Sequence, residues 1–322
     1  MSLASNQTPQ PSADVAALAS RMGAIEYETR LQLELALLEQ QGRAQATGIW
    51  SLHRHFDLYA WIRRALKCCG LWARARRNYF DLQVVQNTVR LPALPEAFEG
   101  YTLLQLSDLH ADLDPDFPEA VRRRIADLDY DAVVITGDFR TCTFGDPRAA
   151  TQAAAAIVAD VEAPVYATLG NHDFLSLVPA LEAAGIRFLL NESIELRREG
   201  ASIYLVGIDD PNFYKSHNFS HALRAVPAAA CKLLLSHSPQ TYRRAAALGF
   251  DLLLAGHTHG GQLCLPKGFV LVHDKSAPRH LLSGVWREGS LQGYTSRGTG
   301  ATGLTARLNC PAEVTLHTLR RA

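Results

Sequence analysis

The chain has 322 residues, enough for one large domain of about 200–250 residues and an extension. Hydrophobic residues make up 48% and charged residues 20%, and 32 Lys and Arg balance 32 Asp and Glu, so the overall charge argues against a polyanion-binding protein and no nucleic-acid partner is expected. No apolar run approaches the ~20 residues that cross a bilayer, and we expect no secretory signal at the amino end. The six cysteines have no CxxC spacing, which predicts reduced thiols in a cytosolic protein.

The beginning of the chain predicts a tail followed by a helix. Residues 1–13 are polar and rich in Pro, Ser and Gln, which is typical of disorder. Residues 14–41 alternate apolar and charged side chains at helical spacing, and this pattern predicts an amphipathic helix. A break is predicted from Gly42 to Gly48.

The segment 50–78 predicts a basic amphipathic helix. It carries seven Lys and Arg against a single acidic residue, Asp57. One helical face collects the apolar residues Leu58, Ile62, Ala65, Leu66, Cys69 and Trp72. Two interpretations stay open: this face lies on an anionic bilayer, or it packs on the rest of the protein with its arginines in water. Residues 14–80 are therefore predicted to form a helical extension.

From about Leu82 onward, short β-rich runs alternate with Ala-rich helical runs. The predicted strands lie in LQVVQNTVRL, YTLLQLSD, DAVVITGD, APVYATLGN, ASIYLVGID, CKLLLSH and FDLLLAGH, with shorter ones in SGVW, GYTSRGTG and AEVTLHTL. The predicted helices are Phe117–Leu128, Pro147–Val161, Leu177–Ala184, His217–Ala225 and Pro239–Leu248. This alternation predicts an α/β domain over residues 81–322, with a central sheet covered by helices on both faces.

Polar side chains follow five of these predicted strands, where each strand ends. They are Asp108 and His110 after LLQLS, Asp138 after VVIT, Asn171, His172 and Asp173 after VYATL, His237 after KLLLS, and His257 and His259 after LLLA. Ligands of open α/β sheets bind outside the carboxyl ends of the strands. The sequence therefore predicts that these residues, which span about 150 positions, converge on one edge.

The residue types in this set narrow its chemistry to metal binding. Carboxylate, amide and imidazole groups without cysteine suit Mn²⁺, Fe²⁺ or Zn²⁺. Three Asp or Asn side chains and four His exceed the needs of one tetrahedral ion. They fit two ions about 3.5–4 Å apart that share a bridging carboxylate.

The set DLH, GD, GNHD, His237 and GHTH, in this order, resembles the calcineurin-like metallophosphoesterases over residues 99–318. The segments GHTHGGQ (256–262), GIDDP (207–211) and YTSRGTG (294–300) resemble a bacterial subgroup of that family. Relatives of the UDP-2,3-diacylglucosamine hydrolases of lipid A biosynthesis belong to this neighbourhood. The resemblance implies a four-layer α/β/β/α fold after the helical extension.

The resemblance also implies a role for each matched residue. One ion would be held by Asp108, His110, Asp138 and His259, and the second by Asp138, Asn171, His237 and His257. His172 matches the family's catalytic histidine near the leaving oxygen. Asp173 would orient His172 through a hydrogen bond.

Four further residues have two possible roles each. Arg140 either clamps a substrate phosphate or pairs with an acid such as Asp146. The carboxylates of Asp209 and Asp210 either ligate metal or begin a turn. Arg297 either touches substrate or braces its loop.

The predicted function is hydrolysis of a phosphodiester or pyrophosphate by hydroxide that bridges the two ions. A lipid-linked UDP-2,3-diacylglucosamine is the candidate substrate, with peripheral membrane contact through residues 50–78. The alternatives are a phosphodiesterase or phosphatase on a soluble nucleotide or phosphoprotein, and a scaffold without catalysis. The predicted location is the cytoplasm, at the inner face of the membrane if the extension binds lipid.

Overall fold

The computed structural model describes residues 13–47, 58–143, 145–270 and 277–322. The first described elements are two helices, α1 (Ala13–Met22) and α2 (Ala24–Thr47). Of the predicted disordered tail, only Ala13 is among the described residues, and it begins α1.

The predicted helix over residues 14–41 has a different interruption and a different end. It is interrupted at Gly23, whose φ of +100° is left-handed. The predicted break at Gly42 is wrong, because α2 continues to Thr47. A glycine inside a helix costs only about 1 kcal/mol, which does not end a long helix by itself.

Two helices, α3 (Leu58–Cys68) and α4 (Trp72–Phe80), occupy most of the segment predicted as one helix. They are separated at Gly70, where φ is +69°. Residues 50–57 of that segment lie outside the described part of the chain. The apolar side chains of both helices pack near the end of the chain in a small cluster of Ile62, Leu66, Trp72, Ala75, Leu304 and Ala306. The packing interpretation is therefore confirmed for α4 and for one side of α3.

The first sheet has six strands in the order β1–β12–β2–β3–β4–β5. Their bounds are β1 Gln83–Leu91, β2 Thr102–Leu106, β3 Ala132–Thr136, β4 Val165–Thr168, β5 Ile186–Phe188 and β12 Glu313–Arg321. Strands β2 to β5 run parallel, and β12 is antiparallel to β2 and parallel to β1. The carboxyl ends of β2, β3 and β4 therefore lie at the same edge.

The second sheet also has six strands, in the order β10–β11–β9–β8–β7–β6. Their bounds are β6 Glu192–Arg198, β7 Ala201–Gly207, β8 Lys232–Leu235, β9 Leu252–Ala255, β10 Gly284–Glu288 and β11 Leu291–Thr295. The inner four strands are parallel, and the edge strands β6 and β10 are antiparallel to their neighbours. Every strand predicted from the sequence is present, and β5 and β6 are additional.

Five helices cover the two sheets. Their bounds are α5 Phe117–Ile125, α6 Arg148–Val158, α7 Val178–Ala183, α8 Phe219–Ala222 and α9 Tyr242–Ala247. Each lies within a predicted helix and is shorter than it. At α8 the amino end is fixed by the Asn218 side chain, which accepts a hydrogen bond from the backbone N–H of His221.

Three hydrophobic cores separate four layers. Leu103 and Val134 of the first sheet pack against Leu205 and Leu233 of the second in the central core. Side chains of α5, α6 and α7 pack on the outer face of the first sheet, together with Leu18 of α1. Helices α8 and α9 pack on the outer face of the second sheet. The predicted α/β/β/α sandwich is confirmed.

None of the described helices combines the length and the apolar character that a transmembrane segment requires.

Candidate metal centre and active site

The seven predicted ligand residues come together at the carboxyl ends of the strands. Two groups of donor atoms are formed, each with all its atoms within 4.8 Å of one another. They are Asp108, His110, Asp138 and His259 in the first group, and Asp138, His237 and His257 in the second. Asn171 joins the second group, since its Oδ1 lies 2.9 Å from Nε2 of His237. Asp138 is common to both groups.

Five residues of this cluster have a left-handed backbone. The φ angles are +51° at Asp108, +41° at His110, +58° at Asp138, +72° at His257 and +51° at His259. Non-glycine residues rarely adopt this conformation, which costs on the order of 1 kcal/mol or more at each position. The strained positions coincide with the points at which the chain leaves a strand and turns. The strain therefore lies where it aims side chains into one pocket.

Two glycines allow the loops of the pocket to approach one another. A Cβ atom at Gly170 would lie 2.1 Å from Oδ1 of Asp138. A Cβ atom at Gly256 would lie 1.8 Å from Oγ of Ser107 and 2.3 Å from Oδ2 of Asp108. Any other residue at either position would push two ligand-bearing loops apart.

The orientation of the imidazoles fits bound cations. Nδ1 of His110 donates to the carbonyl of Arg140 at 2.9 Å, and Nδ1 of His237 donates to the carbonyl of Thr136 at 2.7 Å. Both Nε2 atoms consequently face the pocket. There, Nε2 of His237 lies 3.3 Å from Oδ2 of Asp138. An Nε2 atom this close to a carboxylate either carries a proton or faces a bound cation, and both place positive charge in the pocket.

The electrostatics of the pocket agree with this. Burial by itself lowers the pKa of His237, but Asp138 and Asp108 raise it to about 10, which shows how strongly the pocket attracts positive charge. Burial lowers the pKa of His110 to about 4, so its imidazole is neutral as a ligand must be. Burial opposes the ionisation of Asp138, yet His237 holds the pKa of that carboxyl well below its usual range.

The sequence profile of the calcineurin-like phosphoesterases matches residues 101–261, which contain every residue of this cluster. The chain belongs to that family. It is a hydrolase that acts on phosphoric esters, and the cluster of carboxylates and imidazoles indicates a divalent-metal site.

Similar proteins carry related descriptions. The chain is 30% identical over 255 residues to YkoQ of Bacillus subtilis, an uncharacterized metallophosphoesterase, with 76% of this chain and 93% of that protein covered. It is 33% identical over 168 residues to the Escherichia coli phosphodiesterase YaeI, with 48% of this chain and 57% of that protein covered. Among solved structures, the phosphopantetheinyl hydrolase PptH of Mycobacterium tuberculosis matches at 9% identity and a TM-score of 0.39, covering 64% of this chain and 90% of that one.

His172 of the phosphoesterase lies half-buried at the rim of the pocket. Its backbone N–H donates to Oδ1 of Asp138 at 2.9 Å, and its ring meets that of His110 edge to face, with the centroids 5.0 Å apart. Its Nδ1 lies 2.6 Å from the carbonyl of Thr141. A proton on Nδ1 satisfies that carbonyl, which leaves Nε2 for a substrate.

The predicted hydrogen bond from Asp173 to the ring of His172 is wrong. The carboxylate of Asp173 accepts instead from backbone N–H groups of Asp138, Phe139 and Gly170, each at 2.8 Å. The side chain of Asp173 is short and points back into the turn, where these backbone N–H groups lie within hydrogen-bond distance. Asp173 therefore ties the turn at Asn171 to the loop that carries Asp138.

The other charged residues singled out from the sequence are mostly structural. Asp210 accepts from the backbone N–H groups of three following residues, so it begins a turn. Arg297 bonds Glu313 through Nε at 2.5 Å and braces its loop. The alternative partner of Arg140, Asp146, hydrogen-bonds Arg148. Arg140 is buried beside the pocket, and its Nη2 donates to the carbonyl of Gly145 at 3.2 Å.

Several supporting residues were not anticipated. Ser107 donates to Oδ2 of Asp108 at 2.5 Å, and the fully buried Arg307 holds the carbonyls of Arg297 and Gly300 beside His259. The Nε2 atom of His257 lies 2.6 Å from the side-chain amide of Asn212. A serine directly before a predicted ligand is a weak sequence signal, and nothing in the spacing of Arg307 or Asn212 marks these two residues.

Proposed function

We propose that this phosphoesterase is a dinuclear metal enzyme that hydrolyses a phosphodiester or a pyrophosphate. The observation that carries the proposal is the position of Asp138, whose carboxylate belongs to both groups of donors. A shared carboxylate is the arrangement that holds two divalent ions about 3.5–4 Å apart. The proposed ligand sets are Asp108, His110, Asp138 and His259 for one ion, and Asp138, Asn171, His237 and His257 for the other.

The donor set suits Mn²⁺, Fe²⁺ or Zn²⁺ because it combines carboxylate, amide and imidazole without thiolate. When bound, such ions lower the pKa of water and neutralise the charge that builds on phosphoryl oxygens. The chain holds its donors rigid for this purpose. The carbonyls of Thr136 and Arg140 fix the rings of His237 and His110, and burial keeps bulk water away from both.

His172 is the proposed general acid. With Nδ1 held by the carbonyl of Thr141, a proton on Nε2 can pass to the departing oxygen. Asp173 acts through the backbone, because its carboxylate fixes the turn from which His172 projects. Arg140, anchored beside the pocket, is the proposed clamp for a phosphate oxygen that does not react.

The proposed substrate is an amphiphilic pyrophosphate of the UDP-2,3-diacylglucosamine type. Support comes from the segment GHTHGGQ, which resembles a bacterial subgroup of the family, and relatives of the hydrolases of lipid A biosynthesis lie in the neighbourhood of that subgroup. The E. coli relative is named a phosphodiesterase, which favours a substrate whose phosphate carries two substituents over a phosphomonoester. The runner-up is a soluble nucleotide or a phosphoprotein.

Peripheral contact with an anionic membrane is part of the same proposal, and it places the enzyme at the cytoplasmic face. Helices α3 and α4 contain six Lys and Arg and no acidic residue. On α3, Leu58 is 58% exposed and Trp61 is 54% exposed, a combination that fits a lipid interface. Arg74 of α4 bonds Asn309, which in turn bonds the carbonyl of Cys264, so this surface lies beside the loop that follows His259.

The test is a hydrolysis panel with Mn²⁺-loaded enzyme. Bis-p-nitrophenyl phosphate, p-nitrophenyl phosphate and UDP-2,3-diacylglucosamine are compared for the natural sequence and for His172→Ala. The variant is expected to keep its bound manganese and to lose about 10²–10⁴-fold in kcat on the pyrophosphate. A loss is expected on the p-nitrophenyl esters as well.

His280→Ala is the matched control, since His280 is an exposed histidine outside the cluster. Its turnover should equal that of the natural sequence. Turnover of the monoester alone would contradict the proposed substrate class. A metal-loaded chain that hydrolyses no member of the panel would favour the scaffold alternative, and unchanged turnover in His172→Ala would remove His172 from the reaction.

A further inference from the structure

Arg30 of α2 is a fully buried arginine beneath the turn that carries Asn171 and His172. Its Nη2 donates to the carbonyl of Asp173 at 2.6 Å and to that of Gly170 at 3.4 Å. These two carbonyls flank Asn171 and His172 in the chain. One nitrogen of the guanidinium therefore holds both ends of the turn.

The pocket around Arg30 is built for a guanidinium. Nη1 donates to Oδ1 of Asp209 at 2.7 Å, and Nε donates to Oε1 of Glu34 at 3.0 Å. The guanidinium carbon lies 3.9 Å from the ring centroid of Tyr214. A buried cation is tolerated only when it is paired and hydrogen-bonded in this way. A lysine cannot reproduce such a fork of donors.

A second contact from α2 reaches the same turn. Oε1 of Glu34 accepts the backbone N–H of Leu175 at 3.0 Å. Glu34 and Arg30 lie one helical turn apart and are paired, so α2 presents a donor and an acceptor to the segment 170–175. The helix thereby satisfies backbone groups of the loop that leads from β4 into a short 3-10 helix at Leu175–Leu177.

The contacts of this turn continue to the shared carboxylate. Asp173, whose carbonyl Arg30 holds, binds the backbone N–H of Asp138 through its own carboxylate at 2.8 Å. The backbone N–H of His172 donates to Oδ1 of Asp138. A displacement of the turn would consequently move Asn171, His172 and Asp138 together.

We propose that Arg30 is a positioning residue, so that the amino-terminal extension completes the active site by fixing the turn with Asn171 and His172. This inference rests on the proposed function for its catalytic consequence. Its structural consequence, an ordered segment 170–175, does not depend on that function.

The test compares Arg30→Met with Arg21→Met. Arg21 is a matched control because it also anchors the helical extension, by bonding Glu182, Glu192 and the carbonyl of Phe188, away from the turn. For Arg30→Met we expect kcat on bis-p-nitrophenyl phosphate to fall about 10–100-fold with KM nearly unchanged, and one of two Mn²⁺ affinities in calorimetry to fall by a similar factor. Arg21→Met should keep the kcat and both Mn²⁺ affinities of the natural sequence.

Amide hydrogen exchange in the metal-free protein gives a readout that is independent of activity. Peptides that cover residues 170–175 should exchange faster in Arg30→Met and not in Arg21→Met. Arg30→Lys keeps the charge without the fork, and we expect kcat and exchange between those of the natural sequence and Arg30→Met. If Arg30→Met fails to fold, this second variant decides.

Two outcomes separate the inference from the proposed function. Unchanged exchange over residues 170–175, with kcat equal to that of Arg21→Met, would overturn the role of Arg30. A natural sequence that binds fewer than two Mn²⁺ would contradict the proposed function, while faster exchange in Arg30→Met would still support the positioning of the turn.

Discussion

His317 is a fully buried histidine of β12 whose two ring nitrogens have different partners. Nε2 donates to Oε1 of Gln105 at 2.9 Å, and Nδ1 accepts from the side-chain amide of Asn87 at 2.9 Å. Gln105 donates in turn to Thr136, whose hydroxyl donates to Ser107. This chain of hydrogen bonds ends at Asp108 and needs the neutral imidazole.

We expect His317 to make the protein acid-sensitive. Burial lowers its pKa to about 3 from an ordinary value of 6.5, so between these values the unfolded chain binds the proton and the folded one does not. Stability is therefore lost as the pH falls through 6.5. In urea unfolding of metal-free protein, the natural sequence should lose about 2 kcal/mol more than His317→Gln between about pH 7.5 and about pH 5.

The exposed His280 provides the control for this experiment, because His280→Gln should retain the full pH dependence of the natural sequence. Equal pH dependence in His317→Gln and the natural sequence would show that His317 does not control the acid response.

For the individual residues of the site, the sequence predicts which side chains come together better than it predicts their hydrogen bonds. Strand-end positions of Asp, Asn and His depend on a period of two and on parallel strands, and both are visible in the pattern. The partner of Asp173 depends on which backbone N–H groups the folded turn presents, and no spacing encodes that. In the sequence, Arg30 does not differ from the other charged residues of an amphipathic helix. Its burial depends on the loop at Gly170, which lies 140 residues further along the chain.

Helices α3 and α4 show how far a pattern can be taken at the scale of elements. The sequence predicts the apolar face, and in the structure part of that face packs against Ala306. The helix was expected to be continuous, but Gly70 divides it. At Gly42 the sequence predicts a break, but the helix continues. A glycine inside a helix has a small energetic cost that neighbouring turns can offset.

Vesicle binding tests the exposed side of α3. We expect the protein to sediment with phosphatidylcholine vesicles that contain phosphatidylglycerol and not with phosphatidylcholine alone. The triple variant Trp61→Ala, Arg63→Gln, Arg64→Gln should bind at least about tenfold more weakly, since each basic residue near an anionic surface contributes about 1 kcal/mol. Added salt should weaken the natural sequence as well.

Helix α5 offers a basic surface for comparison. Arg122 and Arg123 pair with Glu119, and α5 carries no exposed large apolar side chain. The variant Arg122→Gln, Arg123→Gln should therefore bind vesicles as the natural sequence does. Equal loss in both variants would indicate general charge attraction, and no binding at all would remove the membrane from the proposed function.

For the whole molecule, divalent ions are expected to stabilise the fold. The proposed donors follow β2, β3, β4, β8 and β9, so bound ions would connect both sheets. An ion at a hundredfold excess over its Kd contributes about 2.7 kcal/mol of stability. Titrating EDTA-treated protein with Mn²⁺ should consequently raise the unfolding midpoint by several degrees.

Asp138→Asn is expected to weaken both proposed ligand sets at once, because its carboxylate belongs to both groups of donors. The increase in the unfolding midpoint that Mn²⁺ causes should be less than half as large in this variant. The increase should be undiminished in Asp146→Asn, because the carboxylate of Asp146 is exposed and pairs with Arg148. An undiminished rise in Asp138→Asn would place the stabilising ions elsewhere on the protein.

The α/β class was predictable at this scale, but the partition into two sheets was not contained in the pattern of strands. Apolar runs such as those of β3 and β8 look alike in sequence and lie in different sheets. Only the resemblance to a family implied four layers. The position of β12 was the least predictable, since the last strand of the chain lies between the first two.

That position has a consequence for synthesis on the ribosome. Strands β1 and β2 both pair with β12 and not with each other, so they wait for a partner made more than 200 residues later. The loop before β12 also supplies the backbone N–H groups of Thr299 and Gly300, which bond the carbonyls of Ser107 and Asp108. A nascent chain therefore cannot close its metal pocket early, and premature termination should yield an incomplete sheet with unpaired edges that invite aggregation.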